Sequence, residues 1–155
     1  MTKPARKRIR LPEKAYADLG RVFSVTIGTS PRQPIFGDLE FGLECVNLLR
    51  ELRDNAGLRV YAYCLMPDHV HLLLAVPANG SLSALVGSWK SRCYQARRKT
   101  GDHRRFWQRS FFDHGLRDNQ DIVDVAMYVV GNPVRAGIAK DFREYPLSGS
   151  FEFEL

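Results

Sequence analysis

Cysteine is scarce in this chain of 155 residues: Cys45, Cys64 and Cys93 stand far apart, with no Cys-x-x-Cys spacing. Three thiols cannot all pair within one chain, so neither a disulfide framework nor a zinc-thiolate site is expected. Cys45 and Cys64 fall in apolar patterns and read as small core residues. No stretch approaches the ~20 consecutive apolar residues of a spanning helix, so no membrane segment is expected. Residues 1–10 are basic through Lys3, Arg6, Lys7, Arg8 and Arg10, but the apolar core of a signal peptide does not follow. They read as a basic arm on a cytoplasmic protein. The chain also lacks a Walker motif, internal repeats and low-complexity segments, which removes ATP-driven chemistry and repeat architectures from consideration.

What is present is enough for one domain. Hydrophobic residues make up 45% of the chain, sufficient for a core at this length. Lys and Arg number 23 against 17 Asp and Glu, a formal charge of +6, which favours a polyanionic partner. The excess is concentrated in residues 90–109, where Lys90, Arg92, Arg97, Arg98, Lys99, Arg104, Arg105 and Arg109 interleave with Trp89, Tyr94, Phe106 and Trp107. Basic groups neutralise phosphates and flat rings stack unpaired bases, so the mixture suits single-stranded nucleic acid. A solvated helix face followed by core aromatics would produce the same pattern.

Periodicity divides the chain into alternating elements. Residues 21–29 alternate as a strand, and a loop through Arg32 ends it. Residues 38–55 read as a helix with Leu39, Leu43, Val46, Leu49 and Arg50 along its inner face, closed by Asn55-Ala56-Gly57. Residues 58–65 are rich in β-formers, and the turn Met66-Pro67-Asp68 pairs them antiparallel with the next strand. Ser81 can cap a helix over 82–98 that turns Leu82, Leu85, Val86, Trp89 and Cys93 inward. Residues 109–116 form a fourth strand, and Asp118 or Asn119 caps a helix over 120–130 that Gly131-Asn132-Pro133 stops. The order β-α-β-β-α-β plus one helix is an α+β, ferredoxin-like split βαβ plan. Its antiparallel sheet carries the crossover helices on one face and leaves the other open for the last helix. The expected divisions are an arm over 1–20, a domain over 21–145 and a partly ordered tail over 146–155.

The run Met66-Pro67-Asp68-His69-Val70-His71-Leu72-Leu73-Leu74 places two histidines one residue apart in an apolar strand. Strand side chains alternate, so His69 and His71 share a face with Leu73 and Ala75. Two imidazoles side by side can supply two ligands to one metal ion. Neutral, hydrogen-bonded sheet histidines are the plain alternative. Tyr128 and Asn132 are four residues apart and share a face if the helical turn continues. A tyrosine hydroxyl can attack phosphorus and an amide oxygen can bind a metal; an aromatic packing residue and a helix cap are the plain readings.

Three segments together resemble a known family: Met-Pro-Asp-His-Val-His-Leu-Leu-Leu at 66–74, Arg-Phe-Trp-Gln-Arg-Ser-Phe-Phe-Asp-His-Gly-Leu-Arg at 105–117, and Tyr-Val-Val-Gly-Asn-Pro-Val-Arg-Ala-Gly at 128–137. They are similar to the single-tyrosine HUH transposases, and more narrowly to the REP-associated tyrosine transposases. The loop Arg-Gln-Pro-Ile-Phe at 32–36 fits the same subgroup. The resemblance implies a metal-dependent enzyme that cuts and rejoins single-stranded DNA at palindromic repeat hairpins. His69, His71 and Asn132 would hold a divalent cation, Mg²⁺ or Mn²⁺, and Tyr128 would form a 5′-phosphotyrosine. DNA contacts are expected from Arg6, Lys7, Arg8, Arg10, Arg32, Lys90, Arg97, Arg98, Lys99, Arg104, Arg105 and Trp107, in a monomer or a helix-exchanged dimer. Asp68 stands where relatives commonly carry Asn, either capping the turn or adding charge to the metal site. A single-stranded nucleic-acid-binding module of the same fold without catalysis, and a small-molecule metallophosphoesterase, are the competing readings.

Overall fold

A computed structural model describes residues 21–30, 33–117 and 121–155. The strands are β1 (Arg21–Gly28), β2 (Arg59–Met66), β3 (His69–Val76), β4 (Phe112–Gly115) and β5 (Ser148–Gly149), and the helices are α1 (Leu39–Ala56), α2 (Leu82–Lys99), α3 (Ile122–Val130) and a single turn α4 (Asn132–Arg135). The sheet runs β4-β1-β3-β2-β5, antiparallel throughout. The first four strands in that order, with α1 joining β1 to β2 and α2 joining β3 to β4, are the expected split βαβ plan.

Both faces of the sheet are covered, which explains why β2 is buried from Val60 to Met66. On one face Val25, Ile27, Val60, Leu65, Val70, Leu72 and Leu74 pack against α1 and α2. The Trp89 indole N–H donates to the Cys45 carbonyl at 2.9 Å and ties the two helices together. On the other face Tyr61, Ala62, Cys64, Met66, Leu73 and Ala75 pack against Ala126, Val129 and Val130 of α3. A bulge between Val60 and Ala62 shifts the β2–β3 register, so the neighbours Tyr61 and Ala62 both serve this second face.

Several expectations need correction. The buried stripe of α1 is Phe41, Cys45, Leu49 and Leu52 together with Val46, whereas Leu39 and Leu43 are nearly half exposed. Phe41 is drawn inward by stacking on Phe36 and meeting Phe106 edge-on, and Arg50 lies over the Phe151 ring instead of facing the core. Residues 146–155 pack onto the domain: β5 pairs with β2, Leu147 enters the core, and the Leu65 N–H donates to the Leu147 carbonyl at 2.8 Å. The cap of α3 is Asp121, which accepts from the Val123 N–H at 2.8 Å; Asp118 and Asn119 lie outside the described residues. The helix ends at Val130 with Gly131 as its cap, as the Gly131-Asn132-Pro133 run led one to expect, but a further helical turn, α4, follows at once. Gly131 keeps right-handed helical angles, and Pro133 falls in the first turn of α4, where its missing N–H costs no bond.

Candidate active site

The two histidines sit on the face covered by α3, held by different neighbours. The His69 Nδ1 lies 2.7 Å from Asp68 Oδ1, and the His71 Nδ1 lies 3.2 Å from the Thr26 hydroxyl of the adjacent strand. Their rings are perpendicular, with centroids 4.9 Å apart. With both Nδ1 atoms engaged, the Nε2 atoms are left as ligand positions, the arrangement by which outer partners orient metal-binding imidazoles. His71 is pushed down to about 4 by burial first, then by His69 and the charge of Arg135, so at neutral pH it presents a lone pair. Asp68 therefore orients a histidine, and its carbonyl also fixes the turn by accepting from the Thr29 N–H at 3.1 Å and hydroxyl at 2.9 Å. Among the described residues no group of three or more His, Cys, Asp or Glu side chains is spaced to hold a metal. A cation on these two nitrogens would need amide, substrate or water oxygen to complete its shell.

Tyr128 is 66% exposed on α3, whose other side is buried against the sheet. The Asn132 amide nitrogen donates to the Val129 carbonyl at 2.8 Å, which leaves its oxygen as the atom a metal could use. Arg135 joins this group without having been singled out from the sequence. Its guanidinium lies 3.8 Å from the centre of the Tyr128 ring and donates to the Tyr128 carbonyl at 2.6 Å. Its charge also reaches His71 and Cys64.

A family model described as IS200-like transposase matches residues 23–131, a span that includes both histidines and Tyr128. The chain belongs to the IS200-like transposase family. Two curated relatives are REP-associated tyrosine transposases by name. One, from Haemophilus influenzae, is 31% identical over 98 residues, 56% of this chain and 56% of the relative. The other, from Escherichia coli K12, is 25% identical over 101 residues, 65% of this chain and 59% of the relative. The chain thus spans little more than half the length of either. Among solved structures, a REP-associated tyrosine transposase bound to a REP hairpin superposes with a TM-score of 0.69 at 19% identity, covering 96% of this chain and 82% of that one. A transposase-like chain of Deinococcus radiodurans R1 gives 0.53 at 20% identity, covering 88% and 92%. At these identities the likeness is one of fold.

In this chain the expected DNA-contacting residues are placed unevenly. Arg6, Lys7, Arg8, Arg10 and Arg32 lie outside the described residues. Arg98, Lys99, Arg104 and Arg105 are exposed, with Arg104 paired to Asp102 at 3.0 Å. Arg97 is committed elsewhere: it bridges Asp38 at 2.9 Å and Asp102 at 3.4 Å and lies over the Phe41 ring. Trp89 and Phe106, two of the rings with the right chemistry for stacking bases, are buried in the core. Half-buried Trp107 donates its N–H to the Lys90 carbonyl at 2.9 Å, and the Lys90 ammonium reaches the Gln108 carbonyl at 2.7 Å. Lys90, Tyr94, Arg105, Trp107 and Arg109 surround an open cavity of about 330 Å³.

Two further residues gain meaning from register. Phe112 of β4 pairs with Thr26, which pairs with His71, so an aromatic side chain that is 78% exposed shares a sheet row and face with the histidine. Gln108 lays its carboxamide over Gly28, where a Cβ would come within 2.6 Å of Oε1, and Gly28 is the cross-strand neighbour of His69. Neither placement is visible in the sequence, because both depend on which strands become neighbours.

Proposed function

We propose that the protein is a metal-dependent single-strand DNA endonuclease and strand transferase that acts on palindromic repeat hairpins through a 5′-phosphotyrosine. The observation that carries the reading is the histidine pair: both Nδ1 atoms are engaged, and Arg135 is stacked on Tyr128 while its charge reaches His71. The names of the relatives, and the hairpin bound in the structural neighbour, supply the substrate class. Bound to His69, His71 and Asn132, a divalent cation such as Mg²⁺ or Mn²⁺ would supply positive charge against the phosphate oxygens. Imidazole donors favour the softer Mn²⁺ of the two.

The protein's own groups account for the rest. The Tyr128 oxygen attacks phosphorus and gives up its proton, the bond from phosphorus to the 3′-oxygen breaks, and that oxygen leaves as a protonated 3′-hydroxyl. The 5′ end stays on the tyrosine, so a second 3′-hydroxyl can reverse the step without ATP. An exposed phenol can meet a DNA strand without local unfolding. The proposed working unit is a monomer that uses its own tyrosine.

The test is covalent capture on a labelled hairpin oligonucleotide carrying a 3′ extension, with Mn²⁺ or Mg²⁺ present. Wild type should form an adduct stable to denaturing electrophoresis, and Tyr128→Phe should form none while still binding the hairpin. An adduct with Tyr128→Phe, or tight binding without an adduct in wild type at any metal concentration, would overturn the proposal.

A further inference from the structure

We infer that Arg135 is a positioning residue for the Tyr128 phenol, clamping the ring by stacking on its face while bonding to the backbone of the same residue. The inference rests on the reading of Tyr128 as the nucleophile. Three observations converge on it. The guanidinium lies 3.8 Å from the ring centre, a close cation–π contact. Its Nη2 donates to the Tyr128 carbonyl at 2.6 Å, so the same side chain grips both ring and main chain. The third observation is Gly131, where a Cβ would lie 2.8 Å from the Arg135 Nη1. Gly131 has φ −77°, a conformation any residue adopts, so its dihedral angle gives no reason for glycine here. The missing Cβ leaves room for the guanidinium and for the Met127 carbonyl, which a Cβ would approach to 3.1 Å.

The need for such a clamp follows from exposure. A tyrosine with two-thirds of its surface in water has little packing to select its rotamer, yet in-line attack on phosphorus requires the oxygen in one place. A planar guanidinium can stack and donate together, whereas an ammonium cannot offer a flat face. A purely structural alternative is that Arg135 only satisfies a carbonyl at the end of α3, a common role for basic residues there. The lysine variant separates the two, since it keeps a donor and a charge but loses the stack.

The experiment compares wild type, Arg135→Ala, Arg135→Lys and Gly131→Ala in single-turnover adduct formation at saturating hairpin with Mn²⁺. Hairpin Kd is measured separately for each change on a Tyr128→Phe background. Expected are rates lower by about 10- to 100-fold for all three variants, with Kd within about 3-fold of the Tyr128→Phe protein. Gly131→Ala tests the clamp with the arginine still present, and together with Arg135→Lys it carries the experiment if Arg135→Ala does not fold. Wild-type rates in Arg135→Lys would reduce Arg135 to a charge or a cap. A loss confined to Kd would make it a DNA contact, and full rates in every variant would remove any role. Each of these overturns the inference while leaving Tyr128 as nucleophile. Absence of an adduct in wild type overturns both.

Discussion

His71 shows how much one side chain's surroundings decide. Burial, His69 and Arg135 all oppose its protonated form, lowering it from 6.5 to about 4. The unfolded chain therefore binds a proton near pH 6.5 that the folded one refuses until near pH 4. Between those values the unfolded state gains protons first, so the folded state of the metal-free protein loses stability as pH falls from 6.5 to 4. Melting temperatures should decline over that window in wild type and decline less in His71→Gln. Equal slopes would show that the imbalance lies on other groups. From sequence, the alternation of a strand was enough to put His69 and His71 on one face. It gave no access to Thr26, because that partner comes from another strand 45 residues away. Arg135 was hidden for a related reason: its place over Tyr128 depends on the single turn α4, which follows directly after the helix has ended at Val130.

Among the elements, β4 is the least buried and the most informative. Its four residues are all exposed, yet pairing with β1 aligns Phe112 with Thr26 and His71. On the proposed function, an exposed ring in the row of His71 would serve as a stacking platform for an unpaired base, a contact worth about 1–3 kcal/mol. Phe112→Ala should weaken binding of the single-stranded extension by about 10- to 100-fold and leave the melting temperature unchanged, as titration with fluorescent oligonucleotides and thermal unfolding would show. Unaltered affinity would make the ring incidental. Helix boundaries were legible within a residue or two where a cap stood alone, as with Ser81, which accepts from the Ala84 N–H. The cap of α3 was misplaced because Asp118, Asn119 and Asp121 offer the same chemistry within four positions. The inner face of α1 was placed correctly at Val46 and Leu49 and misplaced at Leu39 and Leu43, because leucine was weighted over phenylalanine while the aromatic cluster around Phe36 fixed the helix rotation.

For the whole molecule, the order of elements was readable because helix and strand periods alternate cleanly from residue 21 onward. The closing segment was not. Residues 146–155 have no period long enough to announce β5, and their place depends on an unpaired edge of β2. Arg53 makes the union firmer by donating to the Phe151 carbonyl at 2.9 Å. Once this edge is occupied, the sheet has two separate hydrophobic assemblies, one beneath α1 and α2 and one beneath α3. The second is smaller, and α3 contributes only Ala126, Val129 and Val130 to its fully buried part. Such a division permits two thresholds of opening in place of one. Under native conditions the amides of α3 should exchange with deuterium sooner than those from Cys45 to Leu49, with a lower free energy of opening; identical protection would mean a single cooperative unit. The molecule would then be able to unlatch the helix that carries its tyrosine while the crossover helices and the sheet beneath them stay folded.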